Sequence, residues 1–331
     1  MKVVSLILFL FFALTSCSKK IVVHSLNPPN YPQVLKYRKI AVLPFHGYGG
    51  REFAIELESY LANVYVNGKP YFKLVDRNTI EKVLAEQKFS HSGLVNEKDA
   101  VKIGRILGVQ GILTGAVLNA DVTRKFYYED RVACLDSKCK KLTTYKVRCT
   151  RYDAVFSFVP RLIDVETAEV VFSKKYLGTS SSKSCIDESV YINRDELLEI
   201  AKKNAISQFL KDVAPYTTTQ TIPILDDDSE IKFSKDKDSF EKSLDFADKG
   251  MLDKACGIWE NLVKKYPKSV VLNYDLGVCY EAKGELEKAY MFYKRAYNLM
   301  NEPIEEVQEA LNRITAKLRK YKFLKKSLIK F

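Results

Sequence analysis

The sequence predicts an α+β domain built on a mixed sheet with flanking helices, followed by a separate all-α unit of helical hairpins. Two patterns predict it. Through residues 36–225, short β-branched runs alternate with segments whose apolar residues recur at helical spacing. Beyond a charged break at Asp226-Asp-Asp-Ser229 only helical spacing remains, and Gly250-Met-Leu-Asp-Lys-Ala255 recurs as Gly284-Glu-Leu-Glu-Lys-Ala289, 34 residues on. The expected organisation is a leader over 1–16, a tether over 17–35, the α+β domain over 36–225 and a charged linker over 226–237. Two helical repeats over 238–303 and a basic amphipathic capping helix over 304–331 complete it.

Each element has a local cause. Asn27-Pro-Pro29 and Pro32 make the tether extended. Lys39-Ile-Ala-Val-Leu-Pro44 reads as a buried strand, and Arg51 to Val66 as a helix burying Phe53, Leu57, Tyr60, Leu61 and Val64. A second strand covers Phe72 to Val75. Asp76 or Asn78 caps the next helix, which faces inward through Ile80, Val83 and Leu84. Lys98 to Leu107 is a helix ended by Gly108, and Val109 to Val117 returns as a strand. Leu118 to Tyr176 is rich in strands, Arg194 to Val213 is a long helix, and Thr217 to Pro223 is an edge strand.

The 34-residue period resembles the tetratricopeptide repeat. The second copy carries Leu276, Gly277, Tyr280, Gly284, Ala289, Tyr293 and Ala296 at that family's offsets; the first keeps Phe246, Gly250, Ala255, Trp259 and Pro267. Stacked helix pairs leave a concave groove that binds extended peptides or helices. By the family's offsets its lining is Lys237, Phe240, Leu244, Asp248, Val271, Tyr274, Val278 and Glu281, a mixed face suited to an envelope protein partner. The tail is basic and amphipathic, with no acidic residue from Ala310 to Phe331, and caps the repeats or touches acidic lipid.

The first residues fix the compartment. Lys2, an apolar run from Val3 to Leu14, and Leu14-Thr-Ser-Cys17 have the layout of a cleavable export signal and resemble the bacterial lipobox. Cleavage before Cys17 leaves 315 of the 331 residues, with acyl chains on Cys17 that anchor the protein to a membrane without spanning it. Ser18 after the cysteine points to the periplasmic face of the outer membrane. The remaining chain is globular, at 47% apolar and 28% charged residues, with a net charge of +12. Export disfavours a nucleic-acid partner, and no nucleic-acid motif is present.

An oxidising compartment turns cysteines toward disulfides. A hairpin joining Cys134 to Cys139 centres on the polar turn Leu135-Asp-Ser-Lys138, and one joining Cys149 to Cys185 centres on Thr167 in Asp164-Val-Glu-Thr167. Both are consistent with simple antiparallel hairpins, and the spacing lacks the paired motif of zinc ribbons. Cys256 and Cys279 lie in helical patterns and read as small buried apolar residues.

Residues 36–225 resemble the curli production assembly/transport (CsgG) family of envelope lipoproteins. The carriers are Ile40-Ala-Val-Leu-Pro-Phe45, Val75-Asp-Arg77 with Ile80, Val83, Leu84, Glu86 and Gln87, Ser92-Gly93, Ile103-Gly104, Leu107-Gly108, Ile112-Leu-Thr-Gly115 and Arg161-Leu-Ile-Asp-Val-Glu-Thr-Ala-Glu-Val-Val171. Thr167-Ala168 replaces the family's frequent Thr-Gly, which suggests a somewhat different turn. The resemblance implies a CsgG-like fold, possession of a lipid anchor and a homo-oligomer as one partner state. Its best-known member is a secretion pore with membrane hairpins and a constriction loop. Here six residues separate Pro44 from Arg51, and Arg124 with Asp130 on one strand face, Lys125, Glu129 and Arg131 on the other, deny both faces the continuous apolar surface that a membrane-spanning strand turns to lipid.

No enzyme, cofactor or metal is expected. His24, His46 and His91 sit in no catalytic or ligand motif, and His46-Gly-Tyr-Gly-Gly50 matches no phosphate loop. The function expected is a non-enzymatic adaptor in envelope assembly or secretion. The alternatives are a subunit of an outer-membrane secretion channel and a lipoprotein regulator of a peptidoglycan synthase.

Overall fold

The structure, a computed structural model, describes residues 19–329 apart from 67, 87–96 and 189. The leader 1–16, Cys17, Gln87, His91 and Ser92-Gly93 lie outside the described residues. The chain forms two compact units, one spanning Pro28–Tyr216, the other joining the stretch that ends at Asn27 to Thr217–Lys326.

In chain order the elements are β1 (Lys20–Asn27), β2 (Lys39–Gly47), α1 (Gly50–Ala62), β3 (Tyr65–Val66), β4 (Lys69–Pro70), β5 (Lys73–Leu74), α2 (Arg77–Glu86) and α3 (Glu97–Leu107). Then come β6 (Gly111–Cys134), β7 (Leu142–Asp164), β8 (Val170–Ser173), β9 (Tyr176–Cys185), α4 (Arg194–Val213) and β10 (Tyr216–Pro223). Five helices close the chain: α5 (Ser234–Asp248), α6 (Leu252–Lys265), α7 (Val270–Ala282), α8 (Leu286–Leu299) and α9 (Glu305–Ile329).

The first unit is a mixed sheet. β2 pairs in parallel with β5 and β6, while β7 pairs antiparallel with β6, β8 and β9. Helices α2 and α3 cover one face through Ile80, Val83, Ala100 and Ile103, which pack with Leu43, Ile112 and Ile163. The other face carries an aromatic cluster in which Phe53 of α1 and Phe209 of α4 pack edge-on against Phe158. Gly178 on β9 lets α4 close on the sheet, since a methyl there would run into the Ala201 carbonyl. Asn193 caps α4, its side chain accepting the N–H groups of Asp195 and Glu196.

The turn at Thr167-Ala168 keeps the left-handed conformation without glycine. Ala168 has φ +64°, and the Asp164 side chain holds the turn by accepting the Glu166 and Thr167 N–H groups at 2.8 and 3.0 Å. After that turn β8 and β9 both run along β7 in one register, from Arg161 opposite Ser173 to Cys149 opposite Cys185.

The second unit corrects two boundaries. Residues 20–27, expected as tether, form β1, which pairs with β10, and Ile21 and Val23 are buried in the helical core. Lys20-Ile-Val-Val23 has a buried residue at every second position, so tertiary packing claims it. The expected linker also folds: Ile224 and Ile231 enter the same core, and Asp236 is buried at the start of α5, accepting from Lys265 at 2.6 Å and Tyr266 at 2.8 Å. Helices α5 with α6 and α7 with α8 form two hairpins, turned at Gly250 and Gly284 with φ +74° and +76°.

Candidate functional site

The groove expected on the repeats is filled by the chain itself. Phe240, Leu244, Val271, Tyr274, Val278 and Glu281 are buried; Lys237 is half-buried and bonds Asp228 at 3.1 Å, and only Asp248 is exposed. Strand β1 packs on α5 and α7, the helices that would line the groove, and Ile21, Val23, Ile222 and Ile224 join Phe240, Leu244 and Tyr274 in one core. The Tyr274 hydroxyl donates to the Pro223 carbonyl at 2.9 Å, and the Leu225 N–H donates to Asp275 at 3.0 Å. Burial pushes the Asp275 carboxyl well above the ordinary carboxylate range. An apolar groove of this kind exposes several side chains to water, and an alternating strand from the same chain covers them without the entropy cost of binding a partner.

Glu281 belongs to a buried ion cluster. Its side chain is 0% exposed and accepts from Arg313 at 3.0 Å through each oxygen, from Lys317 at 2.6 Å and from the Tyr293 hydroxyl at 2.7 Å. Burial works against the charge, but the Arg313 and Lys317 cations outweigh it and hold the carboxyl below its ordinary value. Helix α9 is thereby locked onto α7 and α8. Arg313 and Lys317 belong to the basic tail that the sequence marks as a cap or a lipid contact, and within the described residues they perform the capping.

The structure joins Cys134 to Cys139 across the hairpin end, and Cys149 to Cys185 between directly opposed residues of β7 and β9. It also joins Cys256 to Cys279, with Cα atoms 5.9 Å apart across α6 and α7, in place of the two lone apolar residues expected. Helical spacing placed both on inner faces but carries no information about which inner face meets which. Glu129 lies near Cys149 and Cys185, yet both sulfurs are committed to the disulfide, which removes them as thiolate ligands.

An open cleft of about 580 Å³ is lined by Lys36, Tyr37, Arg105, Gln110 and Asp164. Asp164 is its most buried acid, and four donors occupy it: the Tyr37 hydroxyl at 2.6 Å, Lys36 at 2.9 Å and two turn N–H groups. Burial opposes its ionisation, but these hydrogen bonds prevail and depress its pKa, while burial pushes the Tyr37 hydroxyl up to about 12. Both groups are fixed in structural roles. In the His46 to Gly50 turn, Gly47 and Gly49 take φ +83° and +63°, and two residues separate β2 from α1.

The most exposed feature of the first unit is the hairpin of β6 and β7. The two strands stay paired from Gly111 opposite Asp164 to Cys134 opposite Leu142. Beyond Thr123 the side chains are exposed on one face, where Phe126, Tyr128, Val132 and Leu142 are 56%, 65%, 64% and 62% accessible. The charges of this arm are legible in the sequence but its apolar strip is not, because alternating polar residues mask it in any window average.

A mixed sheet between helical layers, carrying a long exposed hairpin and joined to an all-α unit, defines the class as an α+β domain followed by a helical one. The chain belongs to the CsgG family, described as the curli production assembly/transport component CsgG, whose model matches residues 56–232. Residues 241–323 match a domain of unknown function, DUF6340. No curated protein matches the sequence. Among solved structures, the chain is similar to the LpoB C-terminal domain from Salmonella enterica at 14% identity and TM-score 0.27, covering 44% of this chain and 93% of that one. Lipoprotein GNA1162 from Neisseria meningitidis gives 14% identity and TM-score 0.28, covering 52% and 96%. The PelC dodecamer from Paraburkholderia phytofirmans gives 15% and 0.25, covering 59% and 97%.

Proposed function

We propose that this protein is a lipid-anchored scaffold of the bacterial envelope, acylated at Cys17 on the periplasmic face of the outer membrane, that joins envelope-assembly or secretion partners without catalysing a reaction. CsgG-family membership and the lipobox support this reading. The observation that carries it is β1. Three residues after Cys17 the chain enters a strand whose Ile21 and Val23 are built into the helical core. An acyl chain on Cys17 therefore holds the helical unit within about 11 Å of slack from the membrane. A free tether of eighteen residues would reach several times further. With the groove self-filled, protein partners meet the outer surfaces of the two units.

The test is in-membrane crosslinking and mass spectrometry of the full chain beside its Cys17→Ser variant. The expected result is membrane retention and heterologous envelope partners for the parent, and release from the membrane for the variant. Recovery of a large detergent-resistant homomultimer that conducts ions would replace this reading with the channel.

A further inference from the structure

The two faces of the β6–β7 arm differ in how their charges are satisfied. On the face that carries Tyr127 and the Cys149–Cys185 bridge, charges neutralise one another: Glu129 takes Arg131 at 2.7 Å and Lys183 at 2.9 Å, Arg131 also meets Asp187 and Glu188, and Asp153 takes Arg151 and Lys125. On the opposite face Arg124, Lys146 and Arg148 are exposed and make no ion pair among the described residues. The guanidinium groups of Arg124 and Arg148 lie 4.8 and 5.9 Å from the Phe126 ring. From residue 124 to 152 the sequence holds nine basic residues against three acidic ones, so half of the chain's net charge of +12 lies in this arm.

We infer that this face of the arm is a peripheral docking surface for an anionic phospholipid bilayer. Phe126, Tyr128 and Leu142 would enter the headgroup boundary while Arg124, Lys146 and Arg148 meet phosphates. Composition and spacing point to this occupant. The strip from Phe126 to Cys134 is about 26 Å long and held by continuous strand pairing, so its alternate side chains share one face of the hairpin. Exposed aromatic and aliphatic residues alternating with unpaired cations are the chemistry of interfacial membrane binding. Protein interfaces also enrich arginine and aromatic residues, but lysine is depleted there, and the excess of cations on this face is what favours an anionic surface. A second copy would set two cationic faces against each other, with Asp130, directly opposite Lys146, as the one carboxylate each strip offers between residues 124 and 134. The cations keep this contact at the headgroup level, since a spanning strand needs a continuous apolar face.

The contact is independent of acylation, so its test uses the chain from Cys17 onward with Cys17→Ser, which retains every described element. Cosedimentation with phosphatidylglycerol-containing vesicles and with pure phosphatidylcholine vesicles is followed against salt. Binding to the anionic vesicles is expected, weakening as salt rises. R124Q/K146Q/R148Q should lower the affinity about a hundredfold, three cations' share near an anionic surface. F126S/L142S should lower it by about tenfold or more. The charge-matched control K82Q/K102Q/K203Q, with exposed residues outside the arm, should stay within about twofold, because screening confines each cation to its own neighbourhood. Circular dichroism checks that each variant is folded. Absence of binding, equal binding to both vesicle types, or equal losses in control and arm variants overturns the inference. A dimer in sedimentation that F126S/L142S dissolves overturns it in favour of a second copy as the occupant.

Discussion

Replacing Glu281 by Gln tests whether the supposed groove residue is a structural hub. The substitution keeps shape and volume, so packing is conserved while the charge goes. Gln retains an acceptor for the Tyr293 hydroxyl, but its amide N–H groups would face the Arg313 and Lys317 donors now 3.0 and 2.6 Å away. Those cations are only 17% and 13% exposed, so water compensates them poorly. Removing one partner from such a cluster costs about 3–5 kcal/mol. Chemical denaturation followed by helical circular dichroism would show that loss in the helical unit, with a melting point lower by more than about 10 °C. The pH dependence gives a second readout. The Glu281 pKa is depressed in the fold, so its stabilisation is complete above the ordinary carboxyl range and lost as pH falls through the folded value. E281Q should lose that part of the acid dependence, and a cycle with R313M should show coupling of about 0.5–3 kcal/mol. A change below about 1 kcal/mol with an unaltered acid limb would refute the hub.

Ala168→Gly should raise stability by about 1 kcal/mol, because glycine adopts φ +64° without the cost to a side chain; equilibrium unfolding that shows a loss would place the strain elsewhere. Asp164→Asn keeps the acceptor for the turn N–H groups but loses the ionic bonds to Tyr37 and Lys36, and should cost about 1.5–3 kcal/mol near neutral pH. Since the Asp164 pKa is depressed, that difference should shrink as pH falls below the ordinary carboxyl range, measured by denaturation across pH. Non-reducing peptide mapping should recover Cys149 with Cys185 and Cys256 with Cys279, and free thiols at either pair would contradict the cross-strand or cross-helix placement.

The α+β architecture was legible because it rests on local periodicity. Lys39 to Pro44, Arg194 to Val213 and the 34-residue repeat each carry their own signal, and the structure shows a strand, a helix and paired hairpins there. The register of β7 against β9 was legible at Cys149 and Cys185 because the polar turn centres the hairpin, although an irregularity between Leu162 and Ile163 lies between that turn and the later pairs. What was not legible depends on which surfaces meet. Cys256 and Cys279 each fit an apolar helical face, so nothing local separates a bridge from two lone thiols. Arg313 and Lys317 look like any basic tail until α9 is laid against Glu281.

The repeat groove shows the same limit at larger scale. Family offsets assign Phe240, Leu244, Val271, Tyr274 and Val278 to one concave face, and the structure does place them in a single cluster. An offset names a face and leaves its cover unspecified. The cover begins more than 200 residues earlier, where Ile21 and Val23 alternate with Lys20 and Val22, and returns through Ile222 and Ile224. Proline-rich flanks made that segment look like tether, yet Asn27-Pro-Pro29 only ends the strand. A chain that supplies its own groove ligand beside its proposed lipid anchor couples anchoring to folding of the helical unit. Pulling on Cys17 would load the β1–β10 pairing and the α5–α7 core directly, whereas a free tether would leave both unloaded.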